Sequence, residues 1–207
     1  MLEKQIREQI ISLINREVVP AVGCTEPMCV SLCVAKATET LGCRPEKITA
    51  LLSANILKNA MGVGIPGTGM IGKSEYQLEV IKDLTREILE EGKQYVSEDH
   101  IDIKLKQGIT EKLYVEIRCE AQGHEATAII AHSHTNIVYV ERDGNAILDR
   151  RTPQAGAAEQ KDILLNMRMV YDFAMTTPEE EISFILKTRD YNIRAAEESK
   201  KANYGHC

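Results

Sequence analysis

The sequence predicts an α+β fold, in which an antiparallel sheet of four to five strands is flanked by helices. Before about residue 100 and after about residue 150, apolar residues recur at helical spacing. Between these limits they alternate with polar residues, which is the pattern of strands with one buried face. The turn signal Asp143-Gly144-Asn145 follows the last alternating stretch and predicts a hairpin.

Each element has its own local signal. Thr25 suits the N-cap of the second helix, and Gly42 suits the left-handed residue that ends it. Glycines at intervals up to Gly72 predict a loop before the third helix. The predicted elements are helices over 2–16, about 25–41 and 75–92, a strand over 47–53, strands near 101–105, 113–117, 125–132 and 136–142, and helices over 159–175 and from 178 to about 202 with a break near Asp190.

Composition excludes several classes of protein. The chain has 207 residues, of which 43% are hydrophobic and 27% charged, as in ordinary globular proteins. Its formal net charge of −6 argues against nucleic-acid binding, and no apolar run reaches the roughly 20 residues that cross a bilayer. The first helix shows no leader-type cleavage site, so we expect a cytoplasmic protein whose six cysteines are free thiols.

We expect residues 1–207 to form one amino-terminal, substrate-side domain with three consecutive parts. A helical and glycine-rich part covers about 1–98, the antiparallel meander about 99–150, and a helical tail about 151–207.

Cys24 is the first residue that could carry chemistry. A thiol at the amino end of a helix feels the positive end of the dipole, which lowers its pKa and favours a thiolate that can act as nucleophile, base or metal ligand. A small buried cysteine in a turn is the alternative, and the residues alone leave both open. Cys29 and Cys33 complete a near miss for an iron–sulfur run, but they lie within the predicted helix. We therefore predict that they fill the core, as do Cys43 and Cys119.

Three further segments are candidates. Ser53 to Asn59 offers a hydroxyl, two amides and an ammonium group, which could hold a small amino acid or simply cap a helix beside a solvated Lys58. Ile65 to Met70 could form a backbone nest for an anion. His134 lies between two predicted strands, as a hydrogen-bonding or acid–base residue or as part of a structural turn.

Four blocks, taken together, resemble one known family. They are Pro20 to Pro27, Ser53 to Asn59, Val63 to Gly72, and His134 to Ile137 followed by Glu141. In this order they resemble blocks of the L-cysteine desulfidase family, the serine dehydratase-like alpha-chain proteins, many of which are uncharacterised. The resemblance implies a β-elimination that depends on a [4Fe–4S] cluster. L-cysteine, or a relative such as L-serine, would give pyruvate, ammonia and sulfide or water.

The resemblance also implies roles for individual residues. Cys24 would be the base or a contact of the cluster, with Glu26 as a second catalytic residue. The substrate pocket would be formed by Thr25, Ser53, Asn55, Lys58, Asn59, Thr68, Gly69, His134, Thr135 and Asn136. The other cluster ligands would lie in a carboxy-terminal half that this chain does not contain, so we expect no cluster on this chain alone.

The expected partners are a small amino-acid substrate and either further copies of the chain or a cluster-bearing half, with no nucleic acid and no membrane. Two other functions stay open. One is a non-catalytic amino-acid-binding or regulatory domain. The other is a thiol-dependent enzyme with Cys24 as nucleophile and His134 as base.

Overall fold

Helices precede and follow a run of five consecutive strands in a computed structural model that describes residues 2–60, 69–151 and 162–202. The elements are α1 (Lys4–Glu17), α2 (Thr25–Leu41), β1 (Lys47–Leu52), α3 (Ala54–Ala60), a 3₁₀ helix (Ser74–Glu79), α4 (Arg86–Ser97), β2 (Ile101–Leu105), β3 (Tyr114–Ala121), β4 (His124–Ala131), β5 (Ile137–Arg142), β6 (Asn145–Asp149), α5 (Met167–Thr176), a second 3₁₀ helix (Glu179–Ile182) and α6 (Phe184–Ala202). Among the described residues, no helix combines the length and apolar character that crossing a bilayer requires.

The chain divides into two compact units. One comprises Met1–Pro20 with Ala158–Cys207, and the other comprises Ala21–Ala157. In the first unit, α1 is tied to later segments by two ion pairs. Arg7 Nε donates to Glu181 Oε2 at 2.7 Å, and Arg16 Nη2 donates to Asp162 Oδ2 at 2.6 Å.

The helical tail differs from the prediction in two places. α5 begins only at Met167, because the Asn166 side chain accepts a hydrogen bond from Met169 N at 3.0 Å and caps the helix there. The predicted break near Asp190 is wrong: α6 is continuous, and its sequence contains neither proline nor glycine. Residues 152–161, where the predicted helix was to begin, lie outside the described residues.

The second unit contains a six-stranded sheet with the order β2-β1-β3-β4-β5-β6. The α+β class is confirmed. One pair, β1 with β2, is parallel, and the other pairs are antiparallel, so β1 adds a strand between β2 and the meander. The predicted hairpin turn is present between β5 and β6, with φ of 50° at Asp143 and 78° at Gly144. Positive φ at both turn residues is the type I′ geometry that matches strand twist.

α2 is the central helix of this unit and is buried on two sides. Cys29 and Cys33 are both 0% exposed and pack into the apolar cluster against the sheet, together with Cys119. Their predicted role as core residues is confirmed, and Cys43 is half-buried at the edge of the same cluster. On its other side, α2 contacts Leu78 and Val80 of the following segment through Met28 and Ala35.

The predicted helix over 75–92 is interrupted. The first part is a 3₁₀ helix with φ of 50° at Gln77, and α4 starts anew at Arg86. Thr85 caps α4, since its hydroxyl oxygen accepts a hydrogen bond from Ile88 N at 3.4 Å. Leu78 and Ile81 of this segment pack in the cluster with Met28 and Ala35, so part of its apolar spacing reflects packing on α2.

Candidate functional site

The amino end of α2 lies at the end of the sheet where β1 and β4 finish. The carboxyl end of the helix is at the opposite end, because Thr40 O accepts a hydrogen bond from Arg142 Nη1 at 3.3 Å. Midway along, Cys33 Sγ donates to Ala128 O at 3.2 Å. The first turn of α2 therefore lies beyond Ala131, the last residue of β4. The candidate site gathers at this end.

Cys24, Thr25, Glu26 and Asn59 form one hydrogen-bonded cluster, which we call the Cys24 cluster. Glu26 Oε2 accepts from Cys24 Sγ at 3.1 Å and from Thr25 Oγ1 at 3.2 Å. Glu26 Oε1 accepts from Asn59 Nδ2 at 3.2 Å and so links α2 to α3. Four predicted site residues, from blocks 33 positions apart, thus meet at a single carboxylate.

Cys24 differs from the prediction in its position in α2 and in the direction of its pKa shift. It is exposed and is itself the N-cap of α2, while Thr25 is the first helical residue and not the cap. The hydrogen bond to Glu26, followed by partial burial, raises the pKa of the Cys24 thiol, which is the opposite of the direction that the helix dipole alone predicts. The pKa of Glu26 is lowered, chiefly by the hydrogen bond from Cys24. A carboxylate in the first turn takes the favourable position at the helix dipole and disfavours a second negative charge beside it.

Ser53 and its neighbours divide into a buried and an exposed group. Ser53 is 3% exposed. Its hydroxyl donates to Lys112 O at 2.9 Å and accepts from Tyr114 N at 3.3 Å, so it joins the end of β1 to the start of β3. Asn55 and Lys58 are exposed on α3, where the spacing i, i+3 and i+4 puts them on one face with Asn59. Among the described residues, neither Asn55 nor Lys58 makes a side-chain hydrogen bond.

The loop between β4 and β5 carries the third predicted group. Asn136 Nδ2 donates to Ala131 O at 3.0 Å, which closes the turn. His134 and Thr135 are half-buried in this turn. The loop lies at the same end of the sheet as the Cys24 cluster, but within the described parts of the chain no hydrogen bond joins His134 to Cys24.

Thr68 and most of the predicted anion nest lie outside the described residues, whereas Gly69 is described. A Cβ atom at Gly69 would lie 3.0 Å from Ser31 Cα and 3.1 Å from Ser31 O, so a side chain there would require α2 to shift by a few tenths of an ångström. Ser31 was not singled out from the sequence. It is 0% exposed, and its hydroxyl has no hydrogen-bond partner among the described residues.

The donor set of the described residues does not fit a [4Fe–4S] cluster. Such clusters are held by several thiolates at one point. Cys29 and Cys33 are buried under the sheet, and burial raises the pKa of Cys29 to about 12. Cys43 follows the opposite end of α2, so among the described cysteines only Cys24 lies at the candidate site. No three His, Cys, Asp or Glu side chains within 2–60, 69–151 and 162–202 are grouped so that they could hold a metal ion.

Comparison with known proteins finds uncharacterised relatives. The chain is similar to a UPF0597 protein of Phocaeicola vulgatus, with 60% identity over 100% of the chain and 51% of the relative. UPF0597 proteins of Bacteroides thetaiotaomicron and Porphyromonas gingivalis are 54% and 45% identical, again over 100% of the chain and 51% and 52% of their own lengths. The chain thus spans about half the length of the curated relatives it matches. No protein-family model matches it, and no solved structure does.

Proposed function

We propose that this chain is the substrate-side half of a cytoplasmic β-eliminating lyase that acts on L-cysteine or a related amino acid such as L-serine. The products would be pyruvate, ammonia and sulfide or water. The observation that carries the proposal is the Cys24 cluster, in which a protonated thiol and an ionised carboxylate share a hydrogen bond beside the exposed polar face of α3. The resemblance of the four sequence blocks to L-cysteine desulfidases supports it.

The cluster contains the two proton-transfer groups that a β-elimination requires. A base removes the α-proton, the C–H electron pair forms the Cα–Cβ double bond, and the leaving group departs with a proton. The aminoacrylate so formed tautomerises to an imine, which water hydrolyses to pyruvate and ammonia. Glu26 is the proton acceptor in this scheme, and the Cys24 thiol protonates the departing sulfide or hydroxide. Because the Cys24 hydrogen bond is the main cause of the lowered pKa of Glu26, a substrate that engages the thiol instead makes Glu26 a stronger base.

The polar face of α3 provides contacts for the rest of the substrate. Lys58 carries an exposed ammonium group that can pair with the substrate carboxylate. Asn55 lies one turn before Asn59 on the same face, so its amide can add a hydrogen bond close to the Cys24 cluster. Asn55 and Lys58 can bind a ligand because their side chains make no hydrogen bond to any of the described residues.

The proposal of a [4Fe–4S] cluster in the intact protein rests on the resemblance. The described residues do not supply its ligands, so those ligands would come from a second, cluster-bearing half or from another copy. The thiol-dependent enzyme is less well supported, because the pKa of Cys24 is raised and its hydrogen bond goes to Glu26 rather than to a histidine.

The test measures binding and turnover separately. An NMR titration of the chain with L-serine should shift the resonances of Asn55, Lys58 and Asn59. For turnover, the chain is fused to the part of the Phocaeicola vulgatus relative that it does not match, reconstituted anaerobically with iron and sulfide, and assayed for pyruvate from L-cysteine and L-serine. Glu26→Gln should lower kcat/KM by roughly 10²- to 10⁴-fold, the usual contribution of a general base.

Glu87→Gln is the matched control, since Glu87 holds the same second helical position in α4 and should leave turnover unchanged. Binding at α3 without pyruvate from the fusion would support the amino-acid-binding alternative. Neither binding nor pyruvate would overturn the proposal.

A further inference from the structure

The face of the sheet that points away from α2 contains a polar cavity. Its volume is about 390 Å³, within the usual range for small-molecule sites. Six charged side chains line it: Lys106, Glu116, Arg118, Glu125, Glu141 and Arg151. Three are cationic and three anionic, so the lining is formally neutral but strongly dipolar. Neutral linings with separated charges favour zwitterions over simple anions.

A buried carboxylate organises one wall of this cavity. The Glu116 side chain is 4% exposed and accepts from Lys106 Nζ at 2.5 Å and from Arg118 Nη2 at 2.6 Å. Tyr114 OH donates a further hydrogen bond at 2.8 Å. Burial by itself would raise the pKa of Glu116, but these three hydrogen bonds hold it below its usual value. The network therefore fixes two cations at the cavity before any ligand arrives, which lowers the entropic cost of binding.

Thr127 contributes a hydroxyl group to the lining of the cavity. Thr127 is only 7% exposed, and its side chain has no hydrogen-bond partner among the described residues. The Thr127 hydroxyl lines the cavity and can both donate to and accept from a ligand there. Arg118 uses Nε and Nη2 on Glu116, which leaves Nη1 unbonded within the described part of the chain.

Sheet register places the opposite charges on either side of this hydroxyl. Thr127 is paired with Arg118 on β3 and with Glu141 on β5, so the three residues form one row across the sheet. Adjacent strands are about 4.8 Å apart, which puts the cation and the carboxylate about 10 Å apart at the backbone. Both residues line the cavity. The Glu141 carboxylate accepts hydrogen bonds from Tyr139 OH and from Gly144 N, the latter at 3.1 Å, and an ionised carboxylate can accept further ones. Glu125 adds a second carboxylate two residues before Thr127, on the same face of β4.

We propose that this cavity is a second binding site, for a small zwitterion of the α-amino-acid class. The carboxylate of the ligand binds Arg118 and the Thr127 hydroxyl. The ammonium group of the ligand binds Glu141 and Glu125. The volume leaves room for a side chain as well. The site is separate from the Cys24 cluster, because it lies on the opposite face of the sheet from α2. An amino acid bound in this cavity would take no part in the proposed elimination.

The test is an NMR titration of the ¹⁵N-labelled chain with glycine, the smallest zwitterion of the class, followed by L-serine. Both should produce saturable shifts at Thr127, Arg118 and Glu141. Acetate and methylammonium, which each carry one of the two charges, should bind at least about tenfold more weakly, since each leaves one pole of the cavity unpaired.

Thr127→Val keeps the shape of the side chain and removes its hydroxyl, and it should weaken glycine binding by about three- to tenfold. Thr49→Val is the matched control: Thr49 flanks Arg118 from β1 on the same face but does not line the cavity, so binding should be unchanged. Arg118→Gln should weaken binding more than Thr127→Val does. A folded Thr127→Val variant that binds as the wild type does would overturn the assignment.

The remaining outcomes separate this inference from the proposed lyase function. If acetate binds as tightly as glycine, the site takes anions and the zwitterion assignment fails. If L-serine shifts only Asn55 to Asn59, this inference fails while the substrate-side proposal stands. If L-serine shifts only the row around Thr127, this inference is supported and the proposed substrate site on α3 loses its support.

Discussion

Glu26 and Glu116 are both held ionised by hydrogen bonds, but in opposite surroundings. Glu26 lies at the amino end of α2 and accepts from a neutral thiol, hydroxyl and amide that are themselves exposed or half-buried. Glu116 lies on a central strand, is 4% exposed, and accepts from two cations and a phenol. Neutral donors near solvent can be exchanged for those of a substrate at small cost. The two cations on the buried carboxylate cannot be exchanged in this way, because the negative charge of Glu116 would be left unpaired.

The two carboxylates therefore have different roles. Glu26 can exchange its partners and is suited to proton transfer. Both carboxylate oxygens of Glu116 are already hydrogen-bonded, and the role of this residue is to hold Lys106 and Arg118 at the cavity. The following predictions test that division, beginning with the largest effect.

The largest expected contrast is in reactivity between the exposed Cys24 and the buried cysteines. Iodoacetamide should modify Cys24 in the native protein, whereas Cys29, Cys33 and Cys119 should react only after unfolding, because they are 0% exposed. Their protection should be roughly a thousandfold or more, as set by the unfolding equilibrium. Mass spectrometry of peptides labelled before and after denaturation measures it. Equal labelling of Cys24 and Cys33 in the native state would show that α2 is not the buried central helix.

The second contrast is in stability. Glu116→Gln should lower the free energy of unfolding by about 2 kcal/mol, since it leaves Lys106 and Arg118 without a counter-charge beside a buried amide. Glu125→Gln, at an exposed position on the same face, should change it by no more than about 0.5 kcal/mol. Urea denaturation measures both variants, with Glu26→Gln alongside. The division between the two carboxylates would be lost if Glu26→Gln proved as costly as Glu116→Gln.

The smallest effect is a shift in thiol reactivity. Because Glu26 accepts the thiol hydrogen and repels a thiolate, it raises the pKa of Cys24, so Glu26→Gln should lower that pKa. Alkylation of Cys24 near neutral pH should then be several-fold faster, with the midpoint of its pH profile moved to lower pH. Glu87→Gln should leave the profile unchanged. A profile that stayed in place in Glu26→Gln would mean that the carboxylate does not control the thiol.

Several features were predictable because their causes are local. The end of α2 at Gly42 depends on the left-handed conformation of one residue, with φ of 82°. The hairpin at Asp143-Gly144 depends on two residues that tolerate positive φ. Cys29 and Cys33 were assigned to the core from helical spacing alone. In each case the determining interactions lie within a few residues along the chain.

Other features depended on partners that are distant in sequence. The helix dipole predicted a lowered pKa for Cys24, and the hydrogen bond to Glu26 reversed its direction. The cavity row was missed, although Tyr114, Glu116 and Arg118 alternate visibly along β3. Alternation shows that one face of a strand is polar, but it does not show which charges on β4 and β5 will meet it.

The sequence by itself determined the α+β class, the identity of most helices and strands, and the blocks whose residues assemble at the start of α2. Those properties follow from residue conformational preferences and from periodicity. Tertiary structure alone decided the insertion of β1 between β2 and β3, the protonation of Cys24, and the burial of Glu116 among cations. The reason is that pairing register and local electrostatics depend on which distant residues come within hydrogen-bonding distance, and only the folded chain brings them there.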